Sequence, residues 1–190
     1  MKKILISLGI FFLLVNSSSA LAGFAVGQSD ALVTPNPTTQ PNSSAYGKSP
    51  SKWLDSYLRW LLEGAAIPGG NAAFLPIFGD SPFDIHVKAG TSMVLPIAVY
   101  IGFEGEEPYL PEDFYGVVTL DGQSIAEPNE DYYVEEMNVE PPIIGLGVFY
   151  QGLVVIINPL TPGTHTIELY STIDGGTYEF NNTWIITVAR

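Results

Sequence analysis

Residues 115–126 read Tyr115-Gly116-Val117-Val118-Thr119-Leu120-Asp121-Gly122-Gln123-Ser124-Ile125-Ala126. Branched residues crowd the first half, then Asp121-Gly122 interrupts. Asp-Gly between two short apolar runs is a strong local hairpin signal, because a two-residue turn of the hairpin type needs left-handed backbone at both positions. The stretch therefore predicts two strands. The same grammar continues on both sides. Upstream, Phe83, Ile85 and Val87 alternate with Asp84, His86 and Lys88, the period of a half-buried strand. Ala89-Gly90-Thr91 turns the chain into residues 93–101, where Pro96 marks an edge or a bulge. Downstream, residues 132–137 form a strand. Residues 143–150 and 153–157 flank Gln151-Gly152, read as a second hairpin turn. Residues 164–172 and 183–188 form the last two strands, joined across Asp174-Gly175-Gly176. Evenly spaced strands with no helix between them predict an all-β antiparallel β-sandwich, immunoglobulin-like or jelly-roll in plan.

One helix precedes the strands. Ser49 suits its cap, Pro50 its first turn and Gly64 its end. Lys52, Asp55, Ser56, Arg59 and Glu63 recur on one face of residues 51–63, and Trp53, Leu54, Tyr57, Leu58, Trp60, Leu61 and Leu62 fill the rest. So short an amphipathic helix needs a surface to dock on, and the sandwich of the same chain is the simplest one.

The N-terminus carries an address. Lys2 and Lys3 are followed by an apolar run over residues 4–15, then small polar residues, then Ala20-Leu21-Ala22 before Gly23. That is the layout of a secretory signal peptide over residues 1–22. Residues 23–50, rich in Pro, Asn, Ser and Thr, read as a flexible lead-in. Residues 51–190 then form a single β-sandwich domain with its helix at 51–63. The expected location is exported, periplasmic or extracellular, with no transmembrane segment in the mature chain.

Composition narrows the classes of function. The chain has no Cys, which removes disulfides, thiolate metal sites and cysteine nucleophiles. Its formal net charge is −13, and no Lys or Arg occurs between Lys88 and Arg190. Nucleic acid is repelled by such a field, so the expected partner is an unknown protein or carbohydrate. No G-x-S-x-G elbow is present. Adjacent acids such as Glu135/Glu136 point to opposite faces of a strand and do not converge on their own. The first reading is an exported, non-enzymatic binding or interaction module. The alternative is a secreted polysaccharide hydrolase working through loop carboxylates.

No cofactor is certain from the sequence. Calcium is the best chemical candidate, because hard oxygen ligands in loops build weak extracellular sites. Glu112 and Asp113 lie in one loop, and Asn129 and Asp131 in another; the two bracket one hairpin. These four are the candidate metal ligands, without a D-x-D-x-D-G loop to support them. His165 shares strand parity with Ile167 and Leu169, which suits a hydrogen bond that fixes the preceding turn, while His86 shares parity with Asp84 and Lys88. Outer tyrosines on one sheet form a candidate platform for a sugar or partner.

Several segments taken in order carry a resemblance: Trp53-x6-Trp60, Ala73-Phe74-Leu75-Pro76, the run Val87-Lys88-Ala89-Gly90 to Pro96, Asp121-Gly122-x-x-Ile125, Pro162-Gly163-Thr164-His165-Thr166-Ile167 and Trp184-x-Ile186-x-Val188. Together they resemble a family of uncharacterised exported bacterial β-sandwich proteins. That family often carries Cys near the Ala-Gly segment, and this chain has none. The resemblance implies one exported sandwich and no particular activity. N-terminal sequencing of exported material is expected to return Gly23 as the first residue; a mature chain that keeps Lys2 and Lys3 would contradict the exported reading.

Overall fold

The computed structural model describes residues 36–41, 43–67, 71–77, 81–106, 114–173 and 176–190. The signal-peptide segment 1–22 and the candidates Glu112 and Asp113 lie outside the described residues.

Helix α1 spans Pro50–Glu63. The Ser49 side chain accepts from the Lys52 backbone N–H, Pro50 occupies the first turn, and Gly64 closes the helix in left-handed backbone at φ 68°. Each boundary follows from a residue type whose local preference matches its place. The polar face is tied by Arg59, which meets Asp55 at 3.2 Å and Glu63 at 3.4 Å, one turn away on either side.

Nine strands follow among the described residues: β1 (Ala72–Phe74), β2 (Phe83–Lys88), β3 (Ser92–Gly102), β4 (Tyr115–Leu120), β5 (Gln123–Ala126), β6 (Tyr133–Glu136), β7 (Phe149–Ile157), β8 (Gly163–Ile173) and β9 (Tyr178–Ala189). A four-stranded sheet has the order β1-β3-β7-β6, and a five-stranded sheet has the order β2-β9-β8-β4-β5. The β4–β5 hairpin forms as its sequence predicts, with Asp121 at φ 51° and Gly122 at φ 78°.

The sheets are mixed, which corrects the purely antiparallel expectation. β1 runs parallel to β3, and β2 runs parallel to β9. Ala89-Gly90-Thr91 does not fold β2 back on β3; it carries the chain from one sheet to the other. Alternation in a sequence shows which face of a strand is buried, not which strand lies beside it. Pro96 sits at the register shift between Pro96 and Ala98, so the bulge half of its reading holds.

Gln151-Gly152 is not a turn. β7 runs straight through it, buried at every position. A Cβ on Gly152 would lie 2.4 Å from the Ala98 carbonyl oxygen, so this glycine serves the close approach of the bulged β3. The strand expected over residues 143–150 starts only at Phe149, and residues 143–147 fold into a tight loop closed by Ile143 N–H to Gly147 O at 2.9 Å.

Three layers result. Trp53, Leu54, Tyr57 and Leu58 of α1 pack on Val94, Ile101, Val134, Tyr150, Val154 and Ile156 of the four-stranded sheet. The other face of that sheet supplies Met93, Leu95, Val155 and Ile157 to the inter-sheet core, where they meet Val118, Ile167, Leu169, Trp184 and Ile186. Buried polar tips are paired: Trp53 Nε1 donates to Ala45 O, Tyr57 to Leu75 O and Trp184 Nε1 to Pro76 O, all at 2.8–2.9 Å. Part of the segment read as a lead-in adds to β7. Thr39 N–H donates to Ile156 O, Asn158 N–H donates to Pro37 O, and Thr38 is buried on the edge opposite β3.

Trp53 is 1% exposed, whereas Trp60 is only partly buried at the margin of the same cluster. Trp53→Ala is therefore expected to cost about 3–5 kcal/mol and Trp60→Ala clearly less. Urea unfolding monitored by circular dichroism checks the order; equal costs would mean that α1 docks differently.

Candidate functional site

Because α1 covers the outer side of the four-stranded sheet, the broad open face among the described residues is the outer side of the five-stranded one. Its composition follows from strand period. Inward positions of β8 and β9 take Ile167, Leu169, Trp184 and Ile186, so the residues between them face out. Register builds the rows: Tyr115, Thr172 and Glu179 lie side by side, then Val117, Tyr170 and Asn181, then Thr119, Glu168 and Thr183. Thr166 and Thr164 continue along β8 beside Ile185 and Thr187, next to Asp84 and His86 of edge strand β2. Threonine suits this position twice over, since its branched Cβ favours extended backbone and its hydroxyl tolerates water.

Tyr115 is 53% exposed, and its ring meets that of Tyr170 edge-on with centroids 6.3 Å apart. The two occupy diagonal positions on neighbouring strands, close enough for long side chains to touch. Tyr170 donates to Glu179 Oε1 at 3.4 Å, and Thr119 donates to Glu168 Oε2 at 3.2 Å. Burial and the Glu179 carboxylate raise the Tyr170 phenol above its ordinary pKa, so it stays a neutral donor. The face offers hydroxyls, one amide and two ring edges; Glu168 and Glu179 are engaged with neighbouring hydroxyls, and Asp84 lies exposed on the edge strand.

Of the four predicted metal ligands, Asn129 and Asp131 lie among the described residues. Asn129 Oδ1 accepts from Asp131 N–H at 2.9 Å and caps the short 3-10 turn Glu130–Tyr132, an ordinary use of Asn before a turn. Among the described residues no three His, Asp or Glu side chains converge on a metal-sized space. Glu135 and Glu136 diverge as their adjacency requires: Glu136 meets Lys52 of α1 at 3.3 Å, while Glu135 shares the other face of β6 with Tyr133.

The two histidines lie on opposite faces of their sheet and cannot share an ion. His86 is exposed on the outer side of β2. His165 is at the inner rim of β8, with Nδ1 2.8 Å from Asp121 Oδ2 and Nε2 2.9 Å from Thr161 O. Asp121 also accepts from Thr166 N–H through Oδ1 at 2.8 Å. This is the turn-fixing role read from the sequence, with Asp121 as the partner that strand parity alone does not reveal. Both ring nitrogens face acceptors, so only the imidazolium satisfies both.

No family profile matches this chain, and no curated protein is detectably similar to it. The likeness stated above rests on its quoted segments alone.

The His165 clip has a definite pH dependence. Burial alone lowers the imidazole pKa, but the hydrogen bond to Asp121, the Thr161 carbonyl and the Asp121 charge outweigh it and raise the value above 6.5. A group whose folded pKa is raised contributes fully below its unfolded pKa and loses that contribution as pH rises through the folded one. The stability gap between the native chain and His165→Gln is expected to be on the order of 1 kcal/mol below the ordinary imidazole pKa, given one half-exposed partner, and to close as pH rises through the raised folded value. Urea unfolding across that range checks it; a gap independent of pH would contradict the clip.

Proposed function

We propose that the protein is an exported, non-enzymatic binding module that holds a neutral carbohydrate chain on the outer face of the five-stranded sheet. One observation carries the reading. α1 seals one outer face of the sandwich, and the opposite face, open among the described residues, is lined by threonine hydroxyls beside the Tyr115–Tyr170 pair. Sugar recognition uses hydroxyl and amide hydrogen bonds with apolar contact to aromatic rings. A protein-docking face would carry a larger apolar centre than these rows offer. The signal-peptide layout of residues 1–22 supports delivery to the periplasm or the medium, where polysaccharide is found.

The strand order also favours the immunoglobulin-like member of the two sandwich plans. Lettered in that scheme, β1-β3-β7-β6 takes the places A-B-E-D, and β9-β8-β4 takes G-F-C with β5 added at the edge. The first strand is then divided, its β1 part beside β3 and its β2 part beside β9. That division accounts for the parallel pairing of β2 with β9, while β1, parallel to β3, departs from the antiparallel A–B pair of the scheme.

Depletion assays with insoluble polysaccharides test the reading. At least one of cellulose and chitin is expected to remove the native protein from solution. Tyr115→Ala with Tyr170→Ala is expected to weaken this about tenfold or more, while surface truncation of this kind leaves folding nearly unchanged. Retention of binding by the double variant would move the site elsewhere. Release of reducing ends during the assay would overturn the non-enzymatic reading in favour of a hydrolase.

A further inference from the structure

The inter-sheet face of β7 changes character along its length. Val155 and Ile157 lie in the apolar core, but Gln151 on the same face is a polar side chain only 2% exposed. Register places it in one row across three strands, between Tyr100 of β3 and Glu135 of β6. Tyr133 Oη lies 2.7 Å from Glu135 Oε2 and 3.0 Å from Gln151 Oε1. On the other side, Tyr100 donates to Glu106 Oε2 at 3.1 Å. Gln151 Nε2 has no hydrogen-bond partner.

A phenol has one hydrogen. The shorter contact and the charged acceptor assign it to Glu135. The Gln151 amide then meets the Tyr133 oxygen with its N–H, the two amide atoms being interchangeable by a half-turn of the group. Its carbonyl oxygen thereby takes the buried, unpartnered side. A buried oxygen without a donor, in a row holding Glu135 and Glu106, is a costly arrangement unless something positive or protic sits against it. Among the described residues no ion pair reaches Glu135. No Lys or Arg occurs between Lys88 and Arg190, and the α1 cations lie on the opposite face of the sheet, with Lys52 on Glu136 and Arg59 between Asp55 and Glu63.

We propose that this end of the four-stranded sheet binds a hard divalent cation, calcium, with the Gln151 amide oxygen and the Glu135 carboxylate as protein ligands. Side chains directly opposite on neighbouring strands start about 5 Å apart, the spacing from which two oxygens close on one ion. Tyr133 joins the two ligands and sets their orientation. Glu106 adds negative potential from the Tyr100 side, and water completes the coordination from the exposed rim at Glu135. A ligand set with one neutral amide and few charges binds weakly, in the millimolar to submillimolar range.

Terbium(III), a calcium-sized ion that emits when excited through a nearby tyrosine, is the probe. Titrated into the mature chain, it is expected to give saturable emission that calcium displaces far better than magnesium. Glu135→Gln, which leaves a side chain of the same size, is expected to weaken displacement by calcium at least about tenfold. Gln151→Met, of similar volume and without the orphan oxygen, is expected to do the same, while Glu179→Gln on the far face changes nothing. Circular dichroism establishes that each variant is folded; if Gln151→Met is not, Glu135→Gln at the rim decides alone. Emission unaltered in Glu135→Gln overturns the proposal, as does equal displacement by calcium, magnesium and sodium. A thermal stability raised by Gln151→Met, with no calcium response in the native chain, would mean that a buried water alone occupies the place, and would overturn it too.

Discussion

Strand β7 offers no face to water, and the rest of the molecule is arranged around that fact. All nine of its residues are buried. One side needs a second sheet and the other needs a helix, because an exposed apolar strand face would be an aggregation surface. α1 exists to meet the second need. Its Trp53 and Tyr57 reach the even-numbered side of β7, and their polar tips close on Ala45 and Leu75 carbonyls. Burial on both sides also explains why glycine appears where close packing demands it. Gly152 admits the Ala98 carbonyl, and Gly102 lies under the Phe149 ring, which a Cβ would strike.

The same arrangement allocates the surface. Since α1 occupies one outer face, the two sheets are not equivalent: among the described residues only the five-stranded one shows a broad polar face to solvent. At the margins of the sandwich the apolar core runs out, and polar groups take its place. At the start of β8, His165 and Asp121 fasten a turn with both imidazole nitrogens engaged. Near the start of β7, in the other sheet and at the other end of the sandwich, Gln151 is buried with its amide incompletely satisfied. The first is a closed network. The second is an open one, and an open buried network is where a ligand gains most by binding.

Acidity colours both. Twelve of the twenty acidic residues fall between Glu104 and Glu140, in a stretch with no basic side chain. Several are taken up locally: Asp121 by His165 and Thr166, Glu106 by Tyr100 and Phe103, and Glu136 by Lys52. Tyrosine hydroxyls also meet Glu106, Glu135 and Glu179, and the phenols of Tyr100, Tyr133 and Tyr170 are raised above their ordinary pKa. In each case burial is the first cause and a neighbouring glutamate the next.

Local residue preference was enough to determine several elements. Ser49, Pro50 and Gly64 bound α1 because capping depends on a few neighbouring atoms. Asp121-Gly122 fixed the β4–β5 hairpin because its turn needs left-handed backbone at two adjacent positions. Period alone placed His165 inward and His86 outward. What only the tertiary structure decided was adjacency. The parallel partners of β1 and β2 lie far along the chain, and nothing in Ala72–Phe74 or Phe83–Lys88 encodes them. Gln151-Gly152 looks like a turn locally and becomes the middle of a strand, because burial on both faces rewards a continuous apolar run and β3 needs room at Gly152. The row Tyr100, Gln151, Glu135 was invisible for the same reason. Its members are separated by up to fifty-one positions along the chain and meet only through strand register, which depends on long-range pairing rather than local preference.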